Sequence, residues 1–482
     1  MKALVLLHRW LGIGFCLLFA MWFASGIVMH FVPFPSLDEA ARFAGLPPID
    51  LSQVLREPDE AAAASNKGQV RRVRLLQRAD GAVYITAGGS GLVAVHAGDL
   101  SDASVKSEQL ALDIARADAR QRGIEALHAT LDGVADYDQW SVPNRFDHHR
   151  PLYRVALNDV AGTEFYVSST TGEVVLATTR KERAWNYLGS VAHWIYPTGL
   201  RKHAVAWSQT VWALSLMALV AAIAGAVLGL SRLRVSLERP GSPFRGWHAW
   251  HHILGLFTAT FVLTWIFSGW LSMDDGLLFS RGRLTSEEAA RVAATPDWRS
   301  FKGDQLLIAS PAREVEWFAL GNQFYRRERT DLRSQSIFVV ASAPDNSSAA
   351  HPFLRAEQVD AFVRPIAADC AAPIIVGPRD SYPIISLVPG GPVYRAVCGD
   401  VWFHVDGGTG AMMERLDPSR RSYRWLYTGL HRLDFPVLLD HPRLRSALIV
   451  LLCALGFIFS VTGVVIGWRR LRLQFGPRGE PA

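Results

Sequence analysis

HRWLGIGFCLLFAMWFASG, residues 8–26, and HHILGLFTATFVLTWIFSG, residues 251–269, are one pattern written twice. His8, Leu11, Gly12, Trp22, Ser25 and Gly26 fall on His251, Leu254, Gly255, Trp265, Ser268 and Gly269 at a single offset. Both lie in or against uncharged runs: residues 10–37 and 246–273 hold no Asp, Glu, Lys or Arg, and neither do 203–231 and 446–468. Each run can cross about 30 Å of hydrocarbon at about 1.5 Å per residue. The reading is a membrane α-helical protein with four transmembrane helices.

The second and fourth runs repeat each other as well. Leu188, His193, His203, Gly225, Gly229, Arg232, Leu233 and Arg234 fall on Leu426, His431, His441, Gly463, Gly467, Arg470, Leu471 and Arg472. The unit is therefore span, outer segment, span, and it occurs twice. Each unit has an even number of spans, so both copies share one topology. That predicts a pseudo-twofold bundle with its axis along the membrane normal. The expected helices cover 8–32, 203–231, 247–273 and 441–468. Two outer regions cover 33–202 and 274–440, with a loop at 232–246 and a tail at 469–482.

Composition agrees with this division. The chain has 482 residues, 50% hydrophobic and 20% charged, which excludes a disordered protein. Lys2 and Arg9 precede the first span. Arg232, Arg234, Arg239 and Arg245 fill the loop, and Arg469, Arg470, Arg472 and Arg478 the tail. The positive-inside bias puts these segments in the cytoplasm and both outer regions in a bacterial periplasm. This asymmetry accounts for much of the net charge of +6, so no nucleic-acid partner is implied. The first apolar run is too long for a cleaved signal core and reads as an anchor. Cys16 and Cys453 read as apolar fillers within spans. Cys370 and Cys398 share an outer region, where a disulfide and two free thiols are both open.

The outer regions read as α+β units. Residues 107–122 and 353–368 are helical in pattern. Strands are expected at 153–157, 164–176, 393–398 and 401–414, with turns at Thr171-Gly172 and Thr409-Gly410. Hairpins are expected at Ala79-Asp80-Gly81 and Gly321-Asn322, and surface loops at 61–64 and 345–350.

Histidines carry the chemistry. His8 and His251 open equivalent spans and would face each other across the axis, with Gly12 and Gly255 leaving room for a flat macrocycle. His248 shares a helical face with His251. His193 and His431 precede the second and fourth spans amid aromatic residues, like helices lying on the membrane surface. His203, His441 and His30 are reserves, and His30 with Met273 is a further ligand option. The plain reading is snorkelling or belt residues. The sharper one is haem b, two groups each held by facing imidazoles, because neutral imidazole ligates iron and bundles hold cofactors between helices. Without a CxxCH motif, covalent attachment is not expected. The spans contain no Asp or Glu for a proton relay, and no HExxH suggests zinc. Trp22, Trp265 and Phe267 read as packing, and the GxxxG pairs Gly225/Gly229 and Gly463/Gly467 as close helix contacts.

His8-Arg9-Trp10-Leu11-Gly12 and His251-His252-Ile253-Leu254-Gly255 resemble the opening motif of PepSY-associated transmembrane proteins. Ser25-Gly26 and Ser268-Gly269 fit the end of that helix, and Ala192-His193 and Leu430-His431 the histidine motif ahead of the next. Residues 167–173 and 405–410 are similar to the end of a PepSY domain, with Ala411 where the first copy has Glu173. The resemblance implies an inner-membrane protein of iron acquisition, with periplasmic PepSY-like domains. Some members are haem-containing ferric-siderophore reductases. A ferric chelate or siderophore would be the substrate, and a quinol or separate cytoplasmic reductase the electron donor. PepSY domains are also linked with peptidase inhibition. A non-catalytic membrane-anchored module regulating a periplasmic partner is therefore the alternative.

Overall fold

Four long helices account for the apolar runs. They are α1 (Lys2–Phe31), α2 (Ala204–Ser231), α3 (Trp247–Leu271) and α4 (Pro442–Phe475), each long and apolar enough to span a membrane. The computed structural model describes residues 1–65, 69–89, 91–233, 242–274, 278–292, 296–309, 311–340, 350–367, 369–383 and 390–475. Arg234, Arg239 and Arg478 lie outside the described residues, as do 345–349 of one expected loop and Ala368 at the end of one expected helix.

The helices form a closed ring in which α1 and α3 each pack against α2 and α4. Phe23, Val262, Trp265, Ile266, Ile449 and Cys453 fill its middle. Gly456 lets Phe23 in, since a Cβ there would stand 2.6 Å from the ring. Leu17, Phe257, Leu451 and Ile458 point outward and exposed. Apolar side chains on the outside of an apolar bundle are what a lipid solvent requires.

The outer segments fold into antiparallel sheets. The strands are β1 (Val70–Arg78), β2 (Gly81–Gly88), β3 (Gly91–His96), β4 (Thr130–Ala135), β5 (Leu152–Ala156), β6 (Glu164–Ser168) and β7 (Val174–Thr178) in the first half. The second half has β8 (Glu314–Leu320), β9 (Gln323–Arg329), β10 (Gln335–Val340), β11 (Ile374–Ile375), β12 (Val393–Cys398), β13 (Val401–Asp406) and β14 (Met412–Leu416). Sheet β4-β5-β6-β7 is backed by helix Glu108–Gln121, and sheet β11-β12-β13-β14 by helix Ala356–Val363. The expected hairpins and Thr-Gly turns fall where the sequence puts them. Gly172 and Gly410 take φ of +66° and +68°, the left-handed conformation that glycine adopts without strain. Cys370 and Cys398 are disulfide-bonded. The expected loop at 61–64 is instead the end of helix Pro58–Ala64, with Ala61 fully buried. The reason is local: Glu60 accepts from the Glu57 N–H, Pro58 starts the helix, and the alanine run favours it.

The remaining sheet joins the halves. Its order is β10-β9-β8-β1-β2-β3, and β1 pairs antiparallel with β8 so that Arg74 lies opposite Glu316. One face of this pair is charged, Arg72 and Arg74 against Glu314 and Glu316. Glu314 is 1% exposed and meets Arg42 at 3.0 Å, Arg74 at 3.2 Å and Arg329 at 2.9 Å. Burial alone would raise its carboxyl, yet the guanidiniums of Arg42, Arg74, Arg327 and Arg329 hold it well below the usual 4.5. Both Thr-Gly turns dock on this face: Arg78 donates to the Thr171 carbonyl at 3.0 Å, and Arg72 to the Thr409 carbonyl at 3.0 Å. The charged face thus ties the two four-stranded sheets to one platform.

Candidate functional site

His8 leans from α1 onto α2, where its Nδ1 lies 3.1 Å from the Ala221 carbonyl. Gly225 makes the room, because a Cβ there would stand 2.6 Å from His8 Cε1. His251 leans from α3 onto α4, with Nδ1 2.8 Å from Thr462 Oγ1 and its ring beside Gly463. The glycines read as helix contacts therefore also serve histidines. The two rings come together at 6.3 Å between centroids, tilted by 37°.

A second pair forms toward the outer sheets. His193 Nδ1 lies 3.0 Å from Ser25 Oγ and 3.2 Å from the Trp22 carbonyl. His431 Nδ1 lies 3.1 Å from Ser268 Oγ and 3.2 Å from the Trp265 carbonyl. Gly26 and Gly269 border these rings, and the centroids are 6.2 Å apart. The segments carrying these histidines were expected to lie on the surface. Instead they lean into the bundle through π-helical turns at Tyr187–Val191 and Arg424–Gly429, whose wider turn alters which way the following residues face. Trp22 and Trp265 do more than pack: their indole N–H groups donate to the His193 and Leu430 carbonyls at 2.9 and 2.8 Å.

Hydrogen positions follow from the partners. A carbonyl only accepts. Ser25 donates its hydroxyl to the Met21 carbonyl at 2.6 Å, Ser268 to Trp265 at 3.1 Å and Thr462 to Phe459 at 2.6 Å. These hydroxyls are thus acceptors toward the imidazoles. Each of the four Nδ1 atoms then carries the hydrogen, and each Nε2 keeps a bare lone pair. Among the described residues no hydrogen bond reaches those Nε2 atoms.

The other candidates differ. His252 uses both nitrogens, on Ser242 and on the Gly229 carbonyl. His30 Nε2 is 2.9 Å from Ser446 Oγ. His203 and His441 are exposed, and His441 Nδ1 bonds the Val437 carbonyl. His248 is exposed at a cavity mouth. His248 and His252 line the same cavity as His8 and His251, but among the described residues none of the five makes a ring contact with a histidine of either pair. Ser25, Ser268 and Thr462 escaped sequence reasoning as histidine partners. Their signal was the small hydroxyl residue immediately before a glycine.

The ring separations, 6.3 and 6.2 Å, leave room between the imidazoles of each pair for a bound metal. An imidazole nitrogen lies about 1.1 Å from its ring centre and bonds a metal at about 2.0 Å, so two rings sharing one metal would stand up to about 6.2 Å apart. Each pair offers two donors only, and among the described residues no group of three or more His, Cys, Asp or Glu could hold a metal ion, so a metal there would need its other ligands from a macrocycle. The inner pair opens into a cavity of about 950 Å³, lined by His8, Gly12, Gly225, His251, Phe459 and Gly463 among others. No side chain comes within 4 Å of a Cβ built on Gly12, so that glycine faces open space, whereas Gly255 is met by Phe459 at 3.0 Å. Phe459 stacks on His251 at 4.9 Å.

Residues 5–470 match the PepSY-associated TM region. The chain belongs to that family. No curated protein matches it. Family membership and four apolar helices make this PepSY-associated protein a multi-pass membrane protein. Its two histidine pairs sit near opposite ends of the bundle. From His8 to Gly26, α1 runs about 27 Å at about 1.5 Å per residue, close to the bilayer's hydrocarbon thickness.

Proposed function

We propose that the protein is a b-type haem protein of the bacterial inner membrane, carrying electrons outward to reduce ferric iron in a periplasmic chelate such as a siderophore. The observation behind this is the pair of histidine couples, at 6.3 and 6.2 Å, with all four Nε2 lone pairs left free. His8 with His251, and His193 with His431, would hold one haem each. The bound group would supply reversible one-electron chemistry.

The chain's own residues do the rest. Ser25, Ser268, Thr462 and the Ala221 carbonyl fix the tautomer and aim each ring. The aromatic packing of Phe23, Phe261 and Trp265 excludes water between the two levels. The repeated contacts support a pseudo-twofold bundle. The arginines at one end and the disulfide at the other support cytoplasmic termini and periplasmic sheets. Electrons would come from a quinol or a cytoplasmic reductase. The two sheets tied to the shared platform would present the chelate.

Proteoliposomes with a reductant trapped inside test this. Ferric chelate added outside should yield ferrous iron, caught by a ferrous-specific chromophore, and His8→Ala or His431→Ala should abolish the yield. Equal rates with empty liposomes contradict the proposal.

A further inference from the structure

Arg232 and Arg470 occupy matching places below the inner histidine pair. On α2, Gly225 touches His8, Gly229 follows one turn later, and Arg232 lies seven residues from Gly225 just past the helix end. On α4, Gly463 touches His251, and Gly467 and Arg470 follow at the same spacings. Seven residues are nearly two helical turns, so each arginine falls within about 20° of the glycine's face. Each also lies about 10.5 Å further toward the end of the bundle at about 1.5 Å per residue. Both line the mouth of the cavity of about 950 Å³ that holds the histidines, as do Arg9, Arg245 and Arg469, but only Arg232 and Arg470 repeat the spacing from a histidine-touching glycine in both halves. Neither has an ion pair among the described residues. A positive-inside bias explains arginines at this end. It does not explain why one from each half lies on the histidine-facing stripe, at equal depth.

We infer that Arg232 and Arg470 form a paired carboxylate clamp, one guanidinium for each of the two propionates of the macrocycle held by His8 and His251. The inference rests on the haem reading above and adds the ligand's orientation, with carboxylates toward the arginine end and the apolar edge toward Phe459 and Val262. Guanidinium suits this task, because its planar fork takes a carboxylate bidentately and stays charged at any working pH.

The test uses full-length protein in neutral detergent, stripped of porphyrin. It is titrated with iron protoporphyrin IX or with its dimethyl ester, whose carboxylates are masked. The part of the spectral change that His8→Ala abolishes reports the inner site. The wild type should prefer the free acid by about two- to tenfold for each arginine that pairs with a propionate. R232Q/R470Q should lose most of that preference, and R232K/R470K should keep more of it. Equal wild-type affinity for both forms, or an undiminished preference in the glutamine variant, overturns the clamp while leaving the haem reading standing. If neither porphyrin binds, both fall. If the variants change only binding to anionic-lipid vesicles while porphyrin preference persists, the arginines serve headgroups and the clamp is overturned.

Discussion

If the two histidine pairs hold haem as proposed, replacing Gly225 by alanine should empty the inner site while leaving the outer one intact. The new Cβ would stand 2.6 Å from His8 Cε1 and 3.1 Å from Nδ1. Ordinary carbon contact begins near 3.5 Å, so the ring must retreat by about 1 Å. That retreat competes with the 3.1 Å bond to the Ala221 carbonyl on the same helix turn. Overpacking of this kind costs about 1–3 kcal/mol, and a ligand displaced by 1 Å no longer meets its partner at 6.3 Å. Gly463→Ala, the equivalent change, should behave differently. Its Cβ would lie 3.6 Å from His251 Cε1 and 3.5 Å from Cys16 Cβ, within normal contact. Alanine also favours the helix by about 0.8–1 kcal/mol over glycine. The second variant should therefore keep its haem and melt at the same temperature or higher. Haem per chain by alkaline pyridine spectroscopy, with thermal unfolding in detergent, separates the two. G225A should retain about half the wild-type haem. Full haem in G225A, or a loss in G463A as large as in G225A, would refute the cradle geometry.

Further outcomes follow from the polar partners. Thr462→Ala removes the hydroxyl on His251 Nδ1, so inner-site haem affinity should fall about 10- to 100-fold in a porphyrin titration; Ser268→Ala should cost less, because the Trp265 carbonyl still accepts from His431. Glu314→Gln leaves Arg42, Arg74 and Arg329 without their shared carboxylate and should destabilise the outer sheets by about 3–5 kcal/mol in denaturant unfolding. Because the folded-state pKa of Glu314 lies well below 4.5, its contribution is present above pH 4.5 and is lost as pH falls toward the folded value; the variant should flatten that acid slope.

The duplicated motifs made the spans and both histidine pairs legible, since repetition at fixed offsets marks residues that meet across related halves. Ordinary patterning also located the Thr-Gly turns and the helix after Ser107. The shared sheet was not legible. β1 and β8 lie far apart in the chain, and their pairing depends on Arg74 meeting Glu316 in a register that no local signal carries. The depth of His193 and His431 was hidden as well. Aromatic flanks suggest a membrane surface, while the turn that re-aims them is a backbone feature without a fixed residue signature. Gly225 and Gly463 read as helix contacts because glycine spacing is the same whether the neighbour is a backbone or an imidazole.

An absorption spectrum of the detergent-purified full-length protein, produced with ample haem, bears most directly on the central claim. Two imidazole-held haems predict a Soret band, sharp α and β bands on reduction, and a spectrum unmoved by carbon monoxide, since each iron would be held by two histidines. A colourless protein would contradict the account and leave a membrane anchor for two PepSY-like sheets.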